Sequence, residues 1–165
     1  MSVSTASRSG GGPAIAALRV MLGVLFLSVW ASNLSKGLYD RGPYAALIDG
    51  YVATGKAPEA WKDVMRFVAD HAAVASKLQL VTELAFGILL VVGLAVRPVA
   101  AAAGVFLSAL WLSEVGVPHE WIWSLVFPAL VAFYLAIVSG GRVLGLDALL
   151  LGRRPLSRLP RWATG

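Results

Sequence analysis

Read from its amino terminus, the chain falls into four long apolar runs divided by short polar breaks. They cover Ala14 to Leu34, Leu78 to Val96, Val99 to Val117 and Trp121 to Val138. A helix needs roughly 20 apolar residues to cross the hydrocarbon core, since each residue rises only ~1.5 Å, and all four runs come near that length. Arg19 alone interrupts the first run, and Glu83 is the single charge in the second. The pattern predicts an all-α integral membrane protein: a four-transmembrane-helix bundle with an extracytoplasmic amphipathic helical loop, residues 35–77, between helices 1 and 2. The alternative for the first run is a cleaved signal sequence, with Arg8 as its basic start and Val29-Trp30-Ala31 as a loose cleavage site. Its apolar stretch exceeds the usual length of roughly 7–15 residues, which favours a retained helix.

Within the loop, Pro58 opens a helical pattern that runs to about Lys77. Trp61, Val64, Met65, Val68, Ala72 and Ala75 fall on one apolar face, and Glu59, Lys62, Asp63, Arg66 and Asp70 on the other. A shorter amphipathic piece, Tyr44 to Val52, precedes it. The plain reading is a cap on the outer membrane surface that covers the bundle; the functional alternative is a gate over a lipid-facing site. In the third run Ala100, Gly104 and Ser108 recur every four residues, a spacing that lets a neighbouring backbone approach closely, and Gly87 offers the same in the second. Pro128 is expected to kink the fourth.

Composition agrees with the pattern: 58% of residues are hydrophobic and 14% charged, whereas about a quarter are charged in a soluble domain. The absence of cysteine excludes disulfides, thiolate nucleophiles and thiolate-held metals or clusters, and no metal site is expected. The net charge of +5 does not point to nucleic acid, because the bases stand at the edges of apolar runs. With the amino terminus inside, the inner segments hold Arg8, Arg19, Arg97, Arg142, Arg153, Arg154, Arg158 and Arg161, uncompensated, while the bases of the 35–77 loop are offset by five carboxylates. Both termini are therefore expected in the cytoplasm, and the inner or plasma membrane is the expected location. Residues 1–12, rich in Ser and Gly, form an expected disordered amino terminus; 13–148 form the membrane domain. Residues 149–165 form a basic tail that hugs the anionic cytoplasmic leaflet, each base contributing about 1 kcal/mol.

An ionisable group inside a span costs about 2.5–3.5 kcal/mol on insertion scales, so Glu83 most needs an explanation. Lys36 ends the first span in the same leaflet, and a Lys36–Glu83 pair would neutralise both. Gln79 lies one turn from Glu83 on its own helix with Thr82 beside it; Asn33 and Ser35 end the first span, Glu114 ends the third, and His119 with Glu120 forms the short turn that follows. This outer-leaflet cluster is the one constellation suited to chemistry. A carboxylate and a histidine beside a lipid-accessible pocket match a quinone head group, whose reduction consumes protons. The competing reading is a structural ion pair with an ordinary interfacial histidine. A haem between His71 and His119 is disfavoured because neither lies within a span, and no phosphate loop, nucleophile elbow or dinucleotide fingerprint is present. A transporter is disfavoured too, since no pair of spans is broken by Gly or Pro at corresponding midplane positions.

Several short elements then line up: Arg19 and Gly23, Lys36-Gly37, Glu83 with Gly87, Gly93-Leu94 before Arg97, and Ser139-Gly140-Gly141-Arg142 followed by Leu146-Asp147. In this order and spacing, over residues 14 to 150, the chain resembles the DoxX-like family of small four-helix membrane proteins. That resemblance implies kinship with the membrane subunit of thiosulfate:quinone oxidoreductase and with bacterial proteins of thiol and oxidative-stress defence. It makes Arg19, Gly23, Gly87, Arg97, Gly141, Arg142 and Asp147 family-motif positions. It further implies a membrane subunit of a quinone-linked redox system, with quinone as the one cofactor and other membrane or membrane-associated subunits as partners. The alternative is a non-catalytic accessory subunit of a larger membrane complex. The missing cysteines argue against thiol or sulfane-sulfur chemistry by this chain itself.

Overall fold

The computed structural model describes residues 12–121, 123–138 and 145–147. The expected disordered amino terminus up to residue 11, the Gly141 and Arg142 element and the basic tail from residue 149 lie outside the described residues. Six helices follow one another: α1 (Gly12–Ser35), α2 (Arg41–Thr54), α3 (Glu59–Asp70), α4 (Ala72–Val92), α5 (Val96–Glu114) and α6 (Trp123–Val138). The described residues contain no strand. α1, α4 and α5 are each long and apolar enough to cross a membrane, and α6 is a shorter apolar helix of 16 residues. Their outward faces are apolar as well: Ile137, Met21 and Val105 are 73%, 67% and 63% exposed. Water does not tolerate so large a continuous apolar surface, whereas lipid does. The chain is a multi-pass membrane protein.

Local chemistry sets where the long helices stop. α1 ends in a Schellman turn, in which Gly37 takes φ +68° and Leu38 N–H donates to the Asn33 carbonyl. α4 ends likewise on Gly93, with φ +72° and the Leu94 N–H on the Leu89 carbonyl. The helix expected from Pro58 to Lys77 is in fact two. At His71 the backbone leaves the helical region, with φ −100° and ψ 23°, so the second span begins at Ala72 rather than Leu78. Trp61, Met65, Val68 and Ala72 turn inward or are half-buried as expected, but Val64 is exposed.

α1 packs mainly on α4 and α5 mainly on α6. The α1–α4 pair is antiparallel: Arg19 lies against Gly93, Gly23 against Gly87 and Val91, and Asn33 against Glu83. Two glycines make the close approach. A Cβ on Gly23 would stand 2.9 Å from both the Gly87 carbonyl oxygen and the Val91 nitrogen. On Gly87 it would stand 2.6 Å from Leu27 Cγ and 3.2 Å from the Leu27 nitrogen. Phe26, Phe86 and Phe106 join α1, α4 and α5 by ring contacts of 5.3 to 6.3 Å. Ala100, Ala103 and Gly104 of α5 accept α6, with the Phe133 ring seated on Gly104.

At the end of the bundle away from α2 and α3, Asp147 ties the chain together. Its carboxylate accepts from the Ala95 and Val96 N–H groups at 2.9 and 3.1 Å, capping the start of α5. Its own N–H donates to the Gly93 carbonyl. Arg19, 1% exposed, faces the Asp147 charge, and Arg97 Nε donates to the Ala136 carbonyl of α6 at 3.1 Å. These family-motif positions therefore build the fold. Asp147→Ala uncaps α5 and is expected to cost about 1–2 kcal/mol, read as a lower melting temperature in detergent. Asp147→Asn should recover only part of that stability in the same experiment, because one amide oxygen replaces two accepting oxygens, the amide nitrogen faces an N–H donor and Arg19 loses the facing charge.

Candidate functional site

Glu83 lies on the inward face of α4 and is 1% exposed. Three neutral donors hold its carboxylate. The Tyr39 hydroxyl donates to Oε2 at 2.5 Å, Asn33 Nδ2 to Oε2 at 3.3 Å, and Gln79 Nε2 to Oε1 at 2.7 Å. The Tyr44 hydroxyl in turn donates to Gln79 Oε1 at 2.8 Å. The cluster thus draws on the end of α1, the turn after it, the first turn of α2 and the middle of α4. An ionised carboxylate has about four acceptor positions, and three are filled.

The expected Lys36–Glu83 ion pair does not form. Among the described residues the ion pairs are Lys62–Glu59, Arg66–Glu59, Arg66–Asp63 and Lys77–Asp40. Lys36 is exposed and joins none of them. The reason is local: the Schellman turn at Gly37 reverses the chain just after Lys36 and carries Tyr39 inward, so Tyr39 takes the place the lysine was expected to fill. Lys77 holds that turn from outside, donating to the Tyr39 carbonyl at 2.9 Å while pairing with Asp40 at 3.6 Å.

The structure brings together two of the six residues expected at the site, Glu83 and Gln79. Thr82 is half-buried beside them and makes no side-chain hydrogen bond. Glu114 lies at the far end of α5, where Tyr51 donates to Glu120 at 3.4 Å and Trp61 Nε1 donates to Ser113 Oγ at 3.0 Å. His119 is exposed in the turn with φ +70°. Sequence reasoning missed Tyr39 and Tyr44. The available signal was a hydroxyl-bearing aromatic two residues after a helix-ending glycine, at the depth of a buried carboxylate. A separate hollow of ≈ 210 Å³ between α5 and α6 is lined by Ser108, Trp111, Val126, Ala129, Leu130 and Phe133, and shares no residue with the Glu83 cluster.

The three tyrosines of the cap hold their protons tightly. Burial, then the hydrogen bond to Glu83 and its charge, pushes the Tyr39 phenol well above its ordinary value. Burial and the Glu83 charge raise Tyr44, and burial with Glu114 and Glu120 raises Tyr51. A raised folded-state value means that this stabilising contribution is whole below the ordinary tyrosine value of 10.0 and is lost as pH rises past it. Melting temperature is therefore expected to fall more steeply above pH 10 in the native chain than in Tyr39→Phe, which lacks the titrating phenol. Equal slopes would show that Tyr39 carries none of the effect.

No curated protein and no solved structure matches the chain. The family model described as DoxD, the TQO small subunit, matches residues 15–157. That span takes in α1 from its second turn, all of α2 through α6, the Glu83 cluster and the Asp147 cap, so the resemblance read from the motifs is borne out. The chain belongs to the DoxD family, that of the TQO small subunit.

Proposed function

We propose that this chain is a membrane subunit of a quinone-linked redox complex, with the Glu83 cluster as the site that meets the quinone head group. The observation that carries the reading is a carboxylate, buried among membrane-spanning helices, that is held by three neutral donors and by none of the described basic side chains. Such a group is costly to insert, and a proton-coupled task gives a reason to keep it. In this reading α6 is a fourth crossing, both termini are cytoplasmic in the plasma membrane, and the Glu83 cluster sits in the outer leaflet beneath α2 and α3.

The donor set suits such a head group. Trp30 Nε1 on α1 and Ser76 Oγ on α4 are buried and make no hydrogen bond. Ser76 stands seven residues before Glu83, on the same inward face. These atoms offer donors to carbonyl oxygens, and the unfilled acceptor position of Glu83 suits a hydroxyl. A bound quinone supplies two-electron, two-proton chemistry, with the electrons exchanged through a partner subunit. Glu83 Oε1, which accepts a single hydrogen bond, holds or releases a proton, while Tyr39 keeps its hydroxyl hydrogen on Oε2. Gln79 and Asn33 fix the carboxylate, and Phe86, one turn further along α4, joins the cluster to the ring-packed core.

A second reading is favoured by the same saturation. The three filled acceptor positions already tie α4 to α1 through Asn33, to the turn before α2 through Tyr39 and, by way of Gln79, to Tyr44 of α2, which is what a purely structural tie in an accessory subunit would do. Gentle extraction of the native protein followed by mass spectrometry separates the two. Co-isolated quinone together with a partner subunit is the result expected from the first reading; a stable partner with no quinone favours the second.

A further inference from the structure

α3 has three sides rather than two. Trp61, Met65 and Ala69 face the bundle. Glu59, Lys62, Asp63 and Arg66 gather on a second side and pair with one another at 2.6 to 3.7 Å. The third side is apolar and uncovered: Val64 is 45% and Phe67 63% exposed, and the Phe67 ring lies tilted against that of His71, centroids 4.3 Å apart. This bare side is not isolated. Val64, Phe67, His71, Val74, Leu78 and Val81 follow one another at alternating spacings of three and four, the repeat of a single helical face. Val74, Leu78 and Val81 are 71%, 65% and 59% exposed, and the lower members of the series lie on the outward face of a membrane-crossing helix. The break at His71 does not end the series, because the backbone bonds His71 N–H to Phe67 O and Ala75 N–H to His71 O carry it across.

We infer that the Val64–Phe67 side of α3 is immersed in the lipid of the leaflet on the α2–α3 side, so that α3 is an interfacial anchor holding the cap to the bilayer. Its occupant is lipid because the stripe, with His71 its one polar member, follows on from a face that hydrocarbon already covers, while the charged side is turned elsewhere and satisfies itself. An amphipathic helix with an aromatic residue on its apolar side fits the boundary between head groups and acyl chains. This anchor is separate from the Glu83 cluster and does not depend on any reading of it.

The chain has no cysteine, so single-cysteine variants need no background changes. Phe67→Cys, Val64→Cys, Asp63→Cys and Val81→Cys would each be spin-labelled in the full chain, reconstituted into phosphatidylcholine–phosphatidylglycerol vesicles. Collision with oxygen, which concentrates in lipid, is then compared with collision with a water-soluble nickel chelate. Labels at 67 and 64 are expected to show an oxygen-to-nickel ratio severalfold above that at 63 and below that at 81, which lies deeper in the bilayer. A ratio at 67 and 64 matching that at 63 would overturn the inference by placing this side in water. Immobile labels shielded from both reagents would overturn it in favour of a protein partner or a second copy of the chain.

Discussion

Replacing Glu83 by glutamine is expected to lower quinone-linked electron transfer in the reconstituted complex by about 100-fold or more, the lower end of what a positioned acid or base contributes. Glutamine keeps the size and one acceptor oxygen but cannot exchange a proton. Its amide nitrogen must also face a donor, because Tyr39, Asn33 and Gln79 all point hydrogens at the carboxylate. A buried donor left without an acceptor costs about 1–3 kcal/mol, so the variant should melt lower yet still insert. Tyr39→Phe separates proton handling from packing: it removes one donor and leaves the carboxylate in place, so a smaller loss of rate is expected. If Glu83→Gln melts lower but turns over at the native rate, the cluster is a structural tie and the accessory reading holds.

Enlarging Gly23 or Gly87 is expected to damage the fold more than any change at the protein surface. A Cβ on Gly23 meets the Gly87 carbonyl and the Val91 nitrogen, both backbone atoms that cannot move aside without separating α1 from α4. Overpacking of this kind costs about 1–3 kcal/mol, and valine at position 23 should reach the upper end. For a chain of this size that corresponds to a fall of roughly 6–12 °C in melting temperature, read from the six tryptophans in detergent. Gly87→Leu should behave similarly, since the added atoms fall on Leu27. The contrast is Gly50→Ala in α2, where nothing lies within 4 Å. There the added methyl restricts the unfolded chain and should be neutral or stabilising by about 0.5–1 kcal/mol. The separation of α1 and α4 also bears on Glu83, because Asn33 and Glu83 meet across the same pair of helices.

Much of the bundle was legible because hydrophobic length is a direct physical requirement of crossing lipid. Three of the four apolar runs appear as helices long and apolar enough to cross a membrane and the fourth as a shorter apolar helix. The boundaries moved where turn chemistry overrode periodicity: His71 broke a pattern that continues across it on paper, and Asp147, from a distant part of the chain, set the start of α5. Glu83 stood out because a lone carboxylate in an apolar run is expensive. Its tyrosine partners did not. Charge complementarity suggested Lys36, yet the Schellman turn at Gly37 determines which side chain folds back, and that is Tyr39. Gln79 was found because it lies one turn from Glu83 on the same helix. Tyr44 comes from a loop helix whose placement no local pattern encodes. Residues joined through a chain reversal were hidden, whereas Gln79 on the same helix and Asn33 at the matching end of the antiparallel first helix were not.

Infrared difference spectra between oxidised and electrochemically reduced quinone, taken on the reconstituted native protein and on Glu83→Gln, test directly whether Glu83 exchanges a proton with a bound quinone. A carboxyl band that changes with quinone redox state is expected in the native protein and should vanish in the variant. The same difference spectrum in both would contradict that exchange.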